Sequence, residues 1–351
     1  MKNKFYIWAS DLEIFRGEGI LAQLFISEII KYNKNSKILL ESFNKKIIFK
    51  NNKKKIIKDL RVDNLNFYLK YVLPIIGSLK CRYYKIKNYN VVYVNYLPLW
   101  NFLIFFFLPK KTILGPITGG AEINQSINFF SLILRKYFFP FFYKFSIFFL
   151  YSKNNLLFST SLLINILPKK ILKKSIFDFA LKNLKPQIIK KKKIEFIIYY
   201  RNHPNKKNDF IESIVKYLVT KKIPVKVIGD FFNHTGVTNY GNCSRKKTKK
   251  LIQNAGYAIN TGENPLSLFA LDCLSLHTTL FIEKKMINSK FKNIKKLLVP
   301  INFKNTKLSK NKIIRYIKKN KLQFHSRDFS NLKKISKNFN EEFKSYLKKN
   351  F

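Results

Sequence analysis

Residues 194–230 read IEFIIYYRNHPNKKNDFIESIVKYLVTKKIPVKVIGD and contain the pattern that decides the fold class. The apolar run at 194–199 predicts a buried strand, and the amphipathic stretch at 208–221 predicts a helix. A second apolar run, at 225–228, predicts another buried strand. A strand, a helix and a strand in succession form the unit from which parallel sheets are built, so this stretch indicates an α/β domain.

The same alternation extends over the rest of the chain. Before this stretch, strands are predicted at 4–9, 37–41, 91–95, 112–114 and 156–159. After it, strands are predicted at 258–260, 278–282 and 297–299, and the other helices are predicted at 19–32, 244–254 and 266–275. A length of 351 residues suits two domains. We therefore expect an α/β fold with two doubly wound Rossmann-like domains facing a central cleft, with ligands at the carboxyl ends of the strands.

A basic segment separates the two sets of strands. Residues 182–193, KNLKPQIIKKKK, combine a proline with a lysine run and predict a linker. The N-terminal domain is then expected at 1–181 and the C-terminal domain at 194–328. The tail at 329–351 has apolar residues at spacings of three and four, which predicts an amphipathic helix that either packs on its own domain or crosses back to the first.

The charge is the unusual feature of the composition. Lys and Arg number 68 against 19 Asp and Glu, which gives a formal net charge of +49. Such a charge ordinarily suggests nucleic acid or an anionic membrane as a partner. Only eight of the basic residues are Arg, however, and readers of nucleic acid rely on the two-point contacts of Arg. Because Lys accompanies abundant Asn, Ile, Phe and Tyr, compositional drift explains most of the charge, and no nucleic-acid partner is expected.

The cysteines and the N-terminus bear on the compartment. Cys81, Cys243 and Cys273 are far apart and form no CxxC pair, so neither a zinc site nor a disulfide framework is indicated. This pattern suits a reducing cytoplasm. The first apolar run is interrupted by Asp11 and Glu13, so it is not expected to be a signal peptide.

Two aromatic stretches bear on membrane contact. Residues 101–108, NFLIFFFL, are too few to span a bilayer, and 129–151 contain Arg135, Lys136, Pro140 and Lys144. Aromatic rings interleaved with cations are typical of helices that lie in a membrane interface. A pair of helices buried in the α/β fold remains the alternative explanation.

Two glycine-containing segments follow predicted strands of the N-terminal half. In the first, FRGEG at 15–19, Gly17 and Gly19 stand where a helix is predicted to begin. Glycine lets the backbone approach a ligand, and a helix N-terminus offers free N–H groups to an anion. A plain tight turn explains this short pattern equally well.

The second glycine segment is LGPITGGAE at 114–122. Its proline fixes one backbone dihedral and its glycine pair frees the next, so a shaped loop is predicted at the end of a strand. This loop either lines the cleft or is only a rigid connection.

Charged residues in the C-terminal half follow predicted strands. Arg201 comes two residues after the strand predicted at 194–199, and Lys206 follows five residues later at the start of the next helix. Two cations at one strand end can bind a diphosphate and offset the charge that develops on a leaving group. Glu263 and Asp272 bracket the start of another helix, where carboxylates can accept hydrogen bonds from sugar hydroxyls.

In this order, the segments resemble a retaining glycosyltransferase of the GT-B fold, in particular the family 4 group. The resemblance rests on FRGEG at 15–19, GPITGG at 115–120, Arg201 with Lys206, and ENPLSLFALDCLS at 263–275. In addition, LLFSTSLLINILP at 156–168 is similar to the last strand and Ser-initiated helix of the family's first domain. The resemblance covers most of the chain and is most specific at 113–122 and 194–282.

The resemblance implies that the C-terminal domain binds a nucleotide sugar and that the N-terminal domain is on the acceptor side. Arg201 and Lys206 would bind the diphosphate, Glu263 would hold the donor sugar, and these three form the implied catalytic set. Asp272 would hold the ribose. The remaining implied donor-binding residues are Gly17, Gly19, Asn264, Leu266 and Ser267, and the acceptor-side residues are Gly119, Gly120 and Glu122. No metal or other cofactor is required, because the two cations supply the positive charge.

The sequence departs from the family pattern at four places, one of which is the turn at 229–231, where Gly229-Asp230-Phe231 lacks the second glycine that is common there. Eight residues separate Glu263 from Asp272 where seven are usual, and the second acid is Asp where Glu is usual. Asn95 stands where many members have His. These departures leave the donor and the activity itself open.

The expected function is transfer of a sugar from a nucleotide sugar, with retention, to a lipid-linked or saccharide acceptor in surface polysaccharide or glycolipid synthesis. The expected location is the cytoplasm, with peripheral attachment to the anionic inner face of the membrane. The alternative is a non-catalytic basic protein on the same scaffold that binds a membrane or another polyanion.

Overall fold

A computed structural model describes residues 4–10, 17–51, 53–60, 67–94, 97–119, 129, 133–189, 192–202, 209–260, 266–287, 289–320, 322 and 325–351. The described residues form two compact units. The first contains 4–119 and 133–179 together with 341–351, and the second contains 129 and 180–340. The sequence predicted a domain end at 181, and the structure changes unit between Phe179 and Ala180.

The first unit contains an eight-stranded sheet with the order β4-β3-β2-β1-β5-β6-β7-β8. The strands from β2 to β8 in this order are parallel, and β3 and β4 form an antiparallel extension beside β2. The bounds are β1 Lys4–Ala9, β2 Lys37–Glu41, β3 Lys45–Lys50, β4 Lys53–Asp59, β5 Asn90–Val94, β6 Ile113–Ile117, β7 Leu156–Phe158 and β8 Ser175–Ile176.

The second unit contains a six-stranded, fully parallel sheet with the order β11-β10-β9-β12-β13-β14. The bounds are β9 Lys193–Tyr200, β10 Val225–Gly229, β11 Val237–Asn239, β12 Ala255–Ile259, β13 Thr279–Glu283 and β14 Leu298–Ile301. Both units therefore have the parallel α/β architecture that the strand and helix alternation predicted.

Helices connect the parallel strands. In the first unit they are α1 Gly17–Tyr32, α2 Phe67–Ile86, α3 Phe102–Phe107, α4 Phe139–Leu150 and α5 Lys169–Leu172. In the second unit they begin with α6 Asp209–Thr220, α7 Arg245–Asn254, α8 Leu268–Ser275 and α9 Thr306–Lys319. The last helix, α10 Ser326–Asn350, begins in the second unit and ends among the residues of the first. A π-helical turn, Leu134–Phe138, leads into α4, and short 3₁₀ helices occur at Ile164–Ile166, Phe179–Asn183, Lys284–Met286 and Ser289–Phe291.

The central strands are continuous apolar runs because helices cover both of their faces. Residues Phe5 to Ala9 of β1 are at most 1% exposed, and Phe196 to Ile198 of β9 are fully buried. Parallel sheets bury both faces in this way, which is why these strands could be predicted from the sequence. Among the helices that the structure describes, none combines the length and apolar character needed to cross a bilayer.

The hairpin formed by β3 and β4 was not predicted. Its strands, KKIIFK and KKKIIKD, contain only two or three apolar residues between lysines, and β4 is exposed along its whole length. Pairing of β3 with β2 places Ile47 opposite Leu40 and buries Ile47, while the lysines remain outside. Lysines on an edge strand also prevent further strands from pairing there.

The segment at 182–193 differs from the predicted linker, because its described residues pack on the second unit. The backbone N–H of Lys185 donates to Ser275 Oγ at 3.0 Å, and that of Gln187 donates to the Ser275 carbonyl at 2.8 Å. Lys192 Nζ donates to the carbonyls of Ile252, Gln253 and Ala255 at the end of α7. Burial lowers the pKa of Lys192 to about 8. Part of the predicted linker is therefore a helix cap.

Candidate functional site

Each sheet contains a position where the order of its strands reverses, and open α/β folds bind ligands beside such positions. In the second sheet, the chain passes from β9 to β10 and β11 on one side, and then places β12 on the other side of β9. The carboxyl ends of β9 and β12 therefore border the crevice where a ligand is expected. In the first sheet the corresponding position lies between β1 and β5.

Arg201 directly follows β9 at this position, as its predicted role requires. Its side chain is partly buried and, within the described part of the chain, forms no hydrogen bond or ion pair. By contrast, Arg245 binds Asp272 and Asn183. The Arg201 guanidinium is therefore free to give an anion two parallel hydrogen bonds.

Asn260 directly follows β12 and was not selected from the sequence, where it was only the last residue of a predicted strand. It is 2% exposed, and its backbone N–H donates to the Phe281 carbonyl at 2.9 Å. Its side-chain amide nitrogen is buried and has no hydrogen-bond partner among the described residues. An unmet buried donor costs about 1 to 3 kcal/mol, so a ligand that accepts a hydrogen bond here would remove a standing penalty. The sequence signal is a polar residue between the buried run AGYAI and the TGENP segment.

The register of the two strands places these residues at one edge. Ile259 of β12 lies opposite Ile198 of β9, so Asn260 reaches the level of Tyr199, two residues before Arg201. The turn after β10 lies on the other side of β9. There Asp230 Oδ2 accepts a hydrogen bond from the backbone N–H of Asn202 at 2.7 Å. This bond fixes the backbone directly after Arg201.

Gly229 shapes the same turn. Its φ is +99°, and its N–H donates to the Gly241 carbonyl at 3.0 Å. A Cβ atom at Gly229 would lie 2.3 Å from the Tyr200 carbonyl oxygen, which is backbone and cannot move aside alone. The turn beside Arg201 therefore requires glycine for both its conformation and its space.

We expect Gly229→Ala to lower the free energy of unfolding by about 2 to 3 kcal/mol, because it adds a backbone clash to the cost of a positive φ. Gly241→Ala is the matched control, since Gly241 also has a positive φ, +65°, but a Cβ atom added there would meet nothing within 4 Å. It should cost only about 1 kcal/mol. Urea unfolding of both variants measures the difference, and equal losses would contradict the steric argument.

Asp272 is a buried residue of α8. Its carboxylate binds protein side chains, whereas the predicted partners were ribose hydroxyls. Arg245 Nε donates to Asp272 Oδ2 at 3.2 Å, and Arg245 Nη2 donates to Oδ1 at 3.1 Å. Lys249 Nζ lies 3.4 Å from Oδ1. Arg245 also donates to Asn183 Oδ1 at 3.1 Å, which ties α7 and α8 to the 3₁₀ helix before β9. The sequence could not show this pairing, because Arg245 and Asp272 are 27 positions apart in the chain.

The other predicted donor-binding residues are placed as follows. Ser267 is the N-cap of α8, with its Oγ accepting from the Ala270 N–H at 3.2 Å, and Leu266 is buried. Lys206, Glu263 and Asn264 lie outside the described residues. Their roles, and the ribose role of Asp272, stay predictions.

In the first unit, Gly17 is the first residue of α1 and Gly19 is buried within its first turn. The segment at 114–122 is not a loop from its beginning, because β6 continues to Ile117. Gly119 follows, with φ +141°, and a Cβ atom added there would lie 3.5 Å from Leu163 and 3.7 Å from Leu99, which are ordinary contact distances. Gly120 and Glu122, the other two acceptor-side predictions, lie outside the described residues, as does Asn95.

Burial shifts the pKa of several titratable side chains. Burial, with the nearby Glu212 carboxylate as a further cause, raises the pKa of Tyr200 to about 12. The three cysteines are free thiols, and burial raises the pKa of Cys81 and Cys273 well above the usual value. The described residues contain no group of three or more His, Cys, Asp or Glu side chains that could hold a metal ion.

No protein-family model and no curated protein sequence matches the chain. Solved structures do. One similar structure is that of Anabaena HepE in complex with UDP, with a TM-score of 0.56 at 10% identity. The match covers 99% of this chain and all of the HepE chain. Sucrose-phosphate synthase from Thermosynechococcus elongatus has a TM-score of 0.57 at 9% identity, over 99% of this chain and 95% of its own.

A third similar structure is that of S. aureus MnaA with UDP, with a TM-score of 0.55 at 10% identity over 99% of this chain and 97% of its own. At such identities the likeness establishes the fold. The predicted fold class is confirmed: the chain has the GT-B fold, with two Rossmann-like α/β domains.

Proposed function

We propose that the protein is a glycosyltransferase that uses a nucleotide sugar bound at the carboxyl ends of β9 and β12. The observation that carries this proposal is a pair of donors at those ends that have no partner in the described part of the chain, the Arg201 guanidinium and the buried Asn260 amide. A diphosphate presents several oxygen acceptors and negative charge, and it satisfies both groups. Bound UDP in the similar HepE and MnaA structures supports a nucleoside diphosphate as the ligand class.

The proposed chemistry follows the family 4 resemblance. Arg201 and Lys206 stabilise the negative charge that develops on the departing diphosphate, so the transfer needs no metal ion. Glu263, with Asn264 and the backbone at the start of α8, holds the donor sugar. The anomeric configuration is retained.

The proposed acceptor is a lipid-linked or growing saccharide held by the first unit, on the side of Gly119, Gly120 and Glu122. This assignment places the protein in the synthesis of a surface polysaccharide or glycolipid. Its three free cysteines are consistent with the reducing cytoplasm, where we propose that it acts at the inner face of the membrane.

The deciding experiment has two stages, so that binding is tested without knowledge of the acceptor. Calorimetry with UDP, GDP, ADP and the corresponding monophosphates should identify one base and a preference for the diphosphate. Release of that diphosphate is then measured from a panel of its sugar conjugates, with lipid-linked and free saccharides as acceptors. Folded protein that binds none of the nucleotides would overturn the proposal.

Asn260→Leu separates binding from stability. We expect the affinity for the nucleoside diphosphate to fall about tenfold or more, because a hydrogen bond to a charged group is lost. The free energy of unfolding should stay unchanged or rise by up to about 1 kcal/mol, because an unmet buried donor is removed.

The matched control for Asn260→Leu is Asn239→Leu. The Asn239 amide is satisfied on both sides, since its Oδ1 accepts from the Phe232 N–H at 2.9 Å and its Nδ2 donates to the Phe232 carbonyl at 3.0 Å. This variant should lose stability. If Asn260→Leu loses as much stability as Asn239→Leu while binding nucleotide normally, Asn260 is structural.

One observation favours a second candidate, a non-catalytic protein that binds a membrane or polyanion. Asp272, the second acid of the family pattern, is already paired with Arg245 and Lys249. The two candidates differ in the nucleotide experiment, because only the transferase binds a diphosphate and releases it from a sugar conjugate. A protein without either activity, whose binding to anionic vesicles falls as surface lysines are removed, would be of the second kind.

A further inference from the structure

The first unit exposes a continuous set of aromatic side chains on α3, the π-helical turn and α4. The two helices pack together through Phe102 and Phe142, with ring centres 5.5 Å apart, and through Phe106 and Phe149 at 5.3 Å. Their inner sides join the core, while the outer sides face solvent. We call this outer surface the aromatic face, and it consists of Leu103, Phe106, Tyr137, Phe138, Phe141, Phe145, Phe148 and Tyr151.

The aromatic face is one surface and not a scatter of single residues. From Phe138 to Tyr151 its members recur every three or four residues, which is one side of a helix. Phe141 and Phe145 are in edge contact at 4.7 Å, and Phe145 contacts Phe102 of α3 at 5.6 Å. Phe148 is 68% exposed and Phe141 is 55% exposed. Contiguous apolar surface of this kind marks an interaction site in a folded protein.

Cations surround and interrupt the face. Lys136 Nζ lies 5.3 Å from the ring centre of Tyr137 at one end, and Lys170 Nζ lies 5.6 Å from that of Tyr151 at the other. Lys144 is exposed between Phe141 and Phe148. From residue 123 to residue 177 the sequence contains no Asp or Glu and eight Lys and Arg, of which two, Lys153 and Lys174, donate to backbone carbonyls. The partner must therefore be both apolar and anionic.

A second copy of this chain does not meet that requirement, because a symmetric interface would bring Lys136, Lys144 and Lys170 against like charges. An anionic bilayer meets both parts of it. Aromatic rings are favoured at the level of the headgroups, and Lys side chains reach lipid phosphates from the same depth. Each well-placed lysine adds attraction to an anionic surface.

We propose that the aromatic face docks on an anionic membrane, with its rings among the headgroups and Lys136, Lys144 and Lys170 on lipid phosphates. The contact is limited to the membrane interface, and no part of the aromatic face crosses the bilayer. It uses a surface that the proposed chemistry at β9 and β12 does not use, so it stands or falls independently of transferase activity. Binding by diffuse charge would need only the lysines, whereas docking through the aromatic face also needs the exposed rings for its affinity.

The test compares two variants of the full chain on vesicles of phosphatidylcholine with and without phosphatidylglycerol. The first variant, Phe141→Ser/Phe145→Ser/Phe148→Ser, removes three exposed rings and leaves every cation. The second, Ile56→Ser/Ile57→Ser, removes two exposed apolar side chains from the lysine-rich strand β4. Thermal unfolding and circular dichroism establish that both variants are folded.

We expect the parent to bind vesicles containing phosphatidylglycerol and the ring variant to bind them about tenfold or more weakly, since buried apolar area sets the strength of interfacial binding. The β4 variant should bind like the parent. At high salt concentration, the parent should keep part of its affinity for the vesicles and the ring variant should lose it. The reason is that salt screens attraction between charges but does not weaken the burial of apolar rings.

Tryptophan fluorescence provides a second readout. Trp100 stacks on Phe139 at the start of α4, with ring centres 5.5 Å apart, whereas Trp8 is buried in the core of the unit. The emission of Trp100 should shift to shorter wavelength when vesicles are added. A parent that ignores anionic vesicles, a ring variant that binds as well as the parent, or a ring variant that turns a dimer into a monomer would each overturn the proposal.

Discussion

Arg201→Ala is expected to lower the turnover of the nucleotide sugar by about 10²- to 10³-fold, the usual loss when one preorganised donor to a developing charge is removed. The physical reason is the position of the guanidinium. It follows the central strand β9 at the reversal of strand order, is partly buried, and has no partner among the residues that the structure describes. The affinity for the free diphosphate should fall in the same direction.

The controls for Arg201→Ala separate local chemistry from net charge. Arg315→Ala removes the same charge from the exposed side of α9 and should leave turnover unchanged. Arg201→Lys keeps the charge without the two-point geometry and should retain only part of the activity. The stability of Arg201→Ala should stay close to that of the parent, because the guanidinium has no hydrogen bond or ion pair with any described residue. Full activity of Arg201→Ala would remove Arg201 from the site.

The parts of the fold that the sequence could predict are those in which burial dominates. The predicted bounds of β1 and β2 agree with the structure, because strands covered on both faces are uninterrupted apolar runs. Those of β10 differ by one residue at one end, and those of β9 by one residue at each end. The hairpin of β3 and β4 was missed for the converse reason. Its lysines and isoleucines form a strand pair only because β2 lies beside β3, and the sequence of the hairpin alone does not show that tertiary contact.

The site shows the same division. Arg201 stood out in a chain with eight Arg, and its place after a strand followed from the apolar run. The unmet amide of Asn260 could not be predicted, because satisfaction of a buried group depends on every neighbour in space. Likewise, Asp272 carried a functional interpretation in the sequence, while its actual partners, Arg245 and Lys249, come from another helix.

The lysine excess also has a structural component that composition conceals. Lys153 Nζ is buried and donates to the carbonyls of Leu108 and Pro109 beyond α3, and burial lowers its pKa to about 8. Lys174 donates to the Leu150 and Tyr151 carbonyls at the end of α4. Together with Lys192, these lysines satisfy carbonyls that helix ends leave without partners. The lysines behind the net charge of +49 therefore include internal helix caps as well as surface residues that can contact an anionic partner.

Arg245→Met is expected to lower the free energy of unfolding by about 3 to 5 kcal/mol, the loss found when a buried ion pair is broken and one charge stays behind. The Asp272 side chain is 3% exposed, so water cannot replace the two hydrogen bonds from Arg245. For a protein of this size, such a change should lower the Tm by roughly 4 to 7 °C. Thermal and urea unfolding measure both quantities.

The size of this effect follows from burial, and a set of matched variants tests that reasoning. Lys249 is 41% exposed and makes one contact with Asp272, so Lys249→Met should cost at most about 1 kcal/mol. Asp59→Asn, which breaks an exposed pair with Lys45, should cost as little. In Arg245→Met/Asp272→Leu neither charge remains, and the double variant should recover at least about 2 kcal/mol relative to Arg245→Met. If the double variant is instead as unstable as the sum of its single changes, Arg245 and Asp272 act separately, and the carboxylate is left available for the ribose role that the resemblance implies.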